Sequence, residues 1–247
     1  MRQEYSKYTD EDHLVWSLLY QEQMQHLPAI STSAYLDGIK RIKFEPNKIP
    51  NFDVINEELA KVTGWQVYVV PGLIPNKPFF EHLVRKEFPA TTWLRKLEQL
   101  KYLPEPDMFH DVFGHVPLLA EPFFCDYLQG ISDIALKNIE NPTAIELISR
   151  IYWFTVEFGL IRENGELKIY GAGILSSPGE SKFSVSNEAT HVPFDIQVIL
   201  DTPYIKDRYQ DKYFVIDSYQ QLFESLPIIK ESIQQYVEQG IEVAPSP

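Results

Sequence analysis

The chain has 247 residues, 44% hydrophobic and 23% charged, enough for one sizeable core in an ordinary globular protein. Its formal charge of −13, from 22 Lys+Arg against 35 Asp+Glu, repels phosphate backbones and anionic lipid, which argues against nucleic acid and membrane surfaces as partners. The opening "MRQEYSKYTDEDHLVW" has no apolar run behind its charges and Cys125 is the only cysteine, so a signal peptide and an internal disulfide are not expected and a reducing cytoplasm is.

In chain order, "TDEDHLVWSLLYQEQMQHLP" opens on Thr9 and three acidic residues, carries an apolar stripe and stops at Pro28, which predicts a helix with a capped start. "NFDVINEELAKVTGW" predicts a second helix that Gly64 ends. "WQVYVV", Trp65–Val70, is β-branched and aromatic and predicts a strand, broken by "PGLIPNKP". "FFEHLVRKEF" reads as helical, and "AIELISRIYWFTVEFGL", Ala144–Leu160, as the longest buried helix. "LIRENGELKIYGAG" places Asn164-Gly165 between two apolar segments, a hairpin with a type I′ turn. "KYFVIDS" gives a further strand, helices follow to about Tyr236, and residues 243–247 read as a loose tail. With no repeat, linker or composition break, the expected architecture is one mainly α-helical α+β catalytic domain spanning 1–247 with a few short strands.

The chemistry concentrates in "PDMFHDVFGHVPLL", where His110 and His115 stand five apart among Glu105, Asp107 and Asp111. Two satisfied core histidines are the plain alternative to two ligands of one metal. On an ideal α-helix residues five apart point about 140° from each other, so both rings meet one ion only if the helix starts between them or is irregular, which Gly114 and Pro117 permit. Glu157, in "IYWFTVEFGL", has no Lys or Arg within the next four positions; an ionised carboxylate in so apolar a helix needs a partner, and a cation is the simplest. Neither HExxH nor an acid two residues after any histidine occurs. Two His and one carboxylate with open positions suit non-haem Fe(II) or catalytic Zn(II) equally. A zinc hydrolase, with Asp111 as a base, and a metal-stabilised binding domain therefore remain open at this point. The last needs a fourth protein ligand, for which His191 is the nearest candidate.

"YLPEPDMFHDVFGHVPLL", "IYWFTVEFGL" and "YGAGILSSPGE", in this order and spacing, resemble the tetrahydropterin-dependent aromatic amino acid hydroxylases, most of all the bacterial members that act on phenylalanine. The likeness covers roughly residues 62–180 well and the ends weakly. It implies that His110, His115 and Glu157 hold Fe(II). It implies that Arg95 grips the substrate carboxylate, Trp153 packs against the substrate ring, and Ser176 and Ser177 form a polar floor. On the pterin side it implies Phe79 stacked on the ring of tetrahydrobiopterin or a related reduced pterin, the backbone of Gly72, Leu73 and Ile74 along its edge, and Asp111 and Tyr152 nearby. Asp107 or Glu105 is expected to orient a ligand histidine. Leu103, Asp111 and Pro89 depart from the animal pattern, and the loop Tyr204–Asp211 aligns without landmarks. The implied activity is hydroxylation of L-phenylalanine to L-tyrosine with O2, with tryptophan as an alternative substrate. The implied protein is a bare catalytic domain, without regulatory or tetramerisation domains, expected as a monomer or weak dimer.

Overall fold

A computed structural model describes residues 1–100, 103 and 105–246. Helices dominate, and the expected mainly helical α+β architecture holds. The first helix, Asp10–Met24, starts as the sequence predicts: Asp12 N–H donates to the Thr9 hydroxyl at 3.2 Å and Thr9 N–H to the Asp12 carboxylate at 2.9 Å, a reciprocal cap that satisfies two otherwise orphaned donors. It ends before Pro28, which lies in the first turn of a separate short helix, Leu27–Ile30. The helix Phe52–Ala60 is closed by Gly64 at φ +76°, whose N–H returns to Leu59 O at 3.1 Å.

Two small sheets are described. Strand β1 (Gln66–Val69) pairs in parallel with β2 (Glu87–Ala90). "FFEHLVRKEF" is therefore not one helix: the helix Asn76–Val84 ends, Lys86 reverses the chain at φ +61°, and Phe88 joins a strand. Local propensity favoured helix there, and pairing with β1 overrode it. The second sheet has the order β4-β3-β6-β5, from β3 (Leu160–Glu163), β4 (Glu166–Ile169), β5 (His191–Pro193) and β6 (Tyr213–Ile216). The β3–β4 hairpin turns through Asn164 at φ +53° and Gly165 at φ +82°, the two positive values a type I′ turn requires.

Three further differences matter for the site. The segment expected to be helical from Ala144 to Leu160 is α-helical only over Pro142–Tyr152; Trp153–Glu157 form a π-turn and Leu160 begins β3. The longest helix among the described residues, Pro122–Lys137, has no counterpart among the elements expected from the sequence, although Phe124, Leu128, Ile131 and Ala135 line its buried face at helical spacing. It carries Cys125, buried and free, whose thiol burial pushes far above its ordinary range and so leaves inert. The composition of residues 243–247 reads as a loose tail, yet Ser246 is buried and bonded through its N–H and hydroxyl to Glu146, while Arg150 donates to Ala244 O at 2.8 Å. Pro247 lies outside the described residues, as does Pro104 of the motif preceding the histidines. The buried apolar side chains form one contiguous core, and no helix among the described residues is long and apolar enough to cross a membrane.

Candidate metal centre and cleft

The five-residue spacing of the histidines is resolved by the backbone. Phe109–His115 is a π-turn. A turn closed by i→i+5 bonds holds about 4.4 residues rather than 3.6, which brings residues five apart to within about 50° of one another. Both imidazoles thereby face the same point. Glu157 ends the second π-turn, Trp153–Glu157, so all three candidate ligands ride on this rare geometry.

His115 Nε2 lies 3.3 Å from His110 Nε2 and 3.1 Å from Glu157 Oε1, and His110 Nε2 is 3.6 Å from Glu157 Oε2. Metal–ligand bonds of about 2.1 Å place neighbouring ligands roughly 3.0 Å apart in an octahedron and roughly 3.4 Å apart in a tetrahedron. The observed edges run from just above the octahedral value to just above the tetrahedral one, so the two imidazoles and the carboxylate fit one side of a metal ion while the geometry by itself does not choose between iron and zinc. The tautomer supports ligation. The Ser176 hydroxyl donates to Ala172 O at 2.8 Å, so it accepts from His110 Nδ1–H at 2.9 Å and leaves Nε2 with its lone pair towards His115. His115 Nε2 faces this lone pair and the Glu157 carboxylate together, an arrangement that needs a proton or a cation among the three groups.

Burial opposes charge on Glu157, but His115, then His110 and the Gly173 N–H outweigh it and hold its carboxyl below the ordinary range. The Gly171 backbone packs on the same residue: a Cβ there would stand 2.4 Å from Glu157 O, so only glycine lets the "YGAG" loop approach this closely. Phe88 lies against the His115 ring at 4.7 Å. Among the described residues the metal-competent group stops at these three. His191, the possible fourth ligand, instead places Nε2 2.7 Å from Ser184 O.

A cleft of about 210 Å³ opens beside the ligands, lined by Gly72, Leu73, Ile74, Phe79, Asp111 and Tyr152 together with Phe88 and Pro89. All six residues expected on the pterin side therefore share one wall with the triad. Phe79 and Tyr152 meet edge to face at 5.7 Å, leaving a flat aromatic surface beside an exposed Leu73. Asp111 accepts from the Thr91 N–H at 2.8 Å and its hydroxyl at 2.9 Å, and burial pushes its carboxyl upwards despite these bonds.

The four residues expected on the amino-acid side do not line this cleft. Arg95 lies in an irregular segment, not on a helix. Asp107, fully buried, takes its Nε at 2.9 Å and its Nη2 at 2.9 Å, the side-on fork of the guanidinium. The end-on fork is less engaged, with Nη1 only 3.5 Å from Leu100 O. Asp107 also accepts the His110 N–H at 3.2 Å, so it ties Arg95 to the main chain of the ligand turn and does not hold an imidazole; Glu105 is exposed. The expected carboxylate partner of a ligand histidine is in fact the Ser176 hydroxyl. Ser177 is occupied as the N-cap of the helix Pro178–Ser184, accepting from Glu180 N–H at 3.4 Å. Trp153 stacks on Tyr204 at 4.6 Å and 21° and donates its indole N–H to Gln210 at 3.1 Å. Tyr204 and Gln210 lie in the loop without landmarks, and nothing in their spacing announces this contact.

These features define a protein with a partly buried two-histidine, one-carboxylate centre beside an aromatic-walled cleft. A family model for biopterin-dependent aromatic amino acid hydroxylases matches residues 3–242, and the chain belongs to that family. The phenylalanine-4-hydroxylase of Chromobacterium violaceum is 45% identical over 220 residues, covering 89% of this chain and 74% of that protein. Its counterpart from Ralstonia nicotianae is 45% identical over 226 residues, 91% of this chain and 72% of its own. The crystal structure of the C. violaceum enzyme with bound oxidised Fe(III) superposes with a TM-score of 0.92 at 42% identity, covering 99% of this chain and 91% of that one.

Proposed function

We propose that the protein is an Fe(II)- and tetrahydropterin-dependent monooxygenase that converts L-phenylalanine to L-tyrosine with O2. The observation that carries this reading is the convergence of three ligand atoms from two π-turns on one point beside an aromatic cleft. Relatives named phenylalanine-4-hydroxylase over most of this chain, one of them crystallised with iron, favour iron over the zinc hydrolase.

In this reading His110, His115 and Glu157 hold the metal. Ferrous iron with a reduced pterin supplies the activation of oxygen; the chain contributes binding, orientation and exclusion of water. Phe79 offers its ring face to the pterin, with Tyr152 and Asp111 beside it and the Gly72–Ile74 backbone along the edge. Arg95, held side-on by Asp107, presents its end-on fork to the substrate carboxylate. Trp153 forms the wall for the substrate ring. Ser176 keeps His110 in the tautomer that ligates, and Ser177 fixes the helix behind it. The whole chain acts as one catalytic unit in the cytoplasm, a monomer or weak dimer handling small molecules.

The test is direct. Protein loaded anaerobically with Fe(II) should form tyrosine when given phenylalanine, O2 and a reduced pterin, with oxygen uptake that starts on pterin addition. No tyrosine with any reduced pterin rejects the reading, and activity with Zn(II) alone favours the hydrolase.

A further inference from the structure

Gln210 is a buried amide in a loop that nothing in the motifs singles out, 3% exposed. Its Oε1 accepts from the Trp153 indole N–H at 3.1 Å and from Ile205 N–H at 3.4 Å, while its Nε2 donates to Ile205 O at 2.7 Å. Flipping the amide would set donor against donor at the indole and acceptor against acceptor at Ile205, so only one orientation satisfies the network. One side chain thus brackets both polar groups of the residue after Tyr204 and pins the ring on which Tyr204 stacks. Its own N–H is held by Glu180 Oε1 at 3.3 Å, which also accepts the Tyr213 hydroxyl at 2.7 Å. Glu180 sits on the helix that Ser177 caps, next to the Ser176 that holds His110.

The geometry points to Gln210 as a positioning residue for the amino-acid substrate: it locks Trp153 and Tyr204 into one aromatic slab and couples that slab, through Glu180, to the helix behind the metal ligands. This rests on Trp153 being the wall for the substrate ring. An indole whose N–H bond is lost slides more freely on the Tyr204 ring, and a pocket edge that moves binds its ligand less well without altering the metal or the pterin cleft.

Gln210→Leu keeps the volume and removes all three amide bonds. The KM for phenylalanine should rise roughly three- to tenfold, the worth of one or two lost hydrogen bonds, while the pterin KM and iron content stay at the wild-type values. Trp153→Phe removes the same indole bond from its other end and keeps a ring in the wall, so it serves where the leucine variant fails to fold. The double variant should raise the KM by less than the product of the two single effects, because the two changes share the indole contact. A lowered Tm with an unchanged phenylalanine KM makes Gln210 merely structural and overturns the inference, as do equal rises in both KM values or additive effects in the double variant. Direct calorimetric binding of phenylalanine to the iron-loaded protein separates the two layers. Wild-type protein that makes no tyrosine sinks the reading beneath; wild-type protein that makes it, with Gln210→Leu binding phenylalanine normally, sinks Gln210 alone.

Discussion

The candidate metal end and the proposed amino-acid side of this molecule are built on different principles. At the metal end the ligands come from two short π-turns, 109–115 and 153–157, locked by close backbone contacts such as Gly171 on Glu157. On the amino-acid side a loop is held by side chains reaching across the chain: Gln210 to Trp153 over 57 positions, and Ser246, whose hydroxyl accepts from Tyr204 N–H at 3.2 Å over 42. Backbone packing is bistable and unforgiving, whereas a network of side-chain bonds weakens one member at a time. Damage at the first should be all or nothing, and damage at the second should be graded.

The sharpest separation comes from His115→Ala, which should abolish iron retention and lower turnover by more than a hundredfold, read by elemental analysis of anaerobically loaded protein. Normal iron content in that variant would break the comparison at its root. Arg95→Lys keeps the charge beside Asp107 but loses the fork, and should raise the phenylalanine KM by tens of fold with the pterin KM nearly unchanged; equal rises in both would reject the carboxylate grip. Gly171→Ala forces the Glu157 carbonyl to move and should cost about 1–3 kcal/mol of stability together with part of the iron occupancy. Loss of stability with full iron binding would show that this contact does not position the ligand.

Two smaller effects test the graded side. Burial pushes the Glu180 carboxyl up from 4.5 to about 7, although Tyr213 and Gln210 donate to it. The native state therefore holds that proton more tightly than the unfolded chain, and its contribution to stability falls as pH rises from about 4.5 through about 7. Glu180→Gln should flatten the decline of Tm over that window; an unaltered slope places the titration elsewhere. Ser246→Ala should lower Tm by a few degrees and raise the phenylalanine KM no more than about threefold. A collapse of activity would mean that the tail governs the site and that the graded picture is wrong.

The candidate metal ligands were legible because chemistry limits the choice. Two imidazoles in a polar cluster and a carboxylate with no basic neighbour leave few partners other than a cation. The caps at Thr9 and Gly64 and the hairpin at Asn164-Gly165 were legible because each is set by bonds within a few residues. Strand β2 escaped because its partner lies some twenty positions away, and local propensity at Phe88 favours the wrong element. The buried seat of Ser246 and the Gln210–Trp153 bond escaped for the same reason on a larger scale: polar residues in a loop carry no period, and which amide meets which indole depends on distant segments packing first. What the amino-acid order determined by itself was the set of groups able to bind an ion and the turns that close locally. The tertiary structure decided that residues 110 and 115 share a direction, since only the wider π-turn brings five positions round to one face, and it decided what holds the far wall in place.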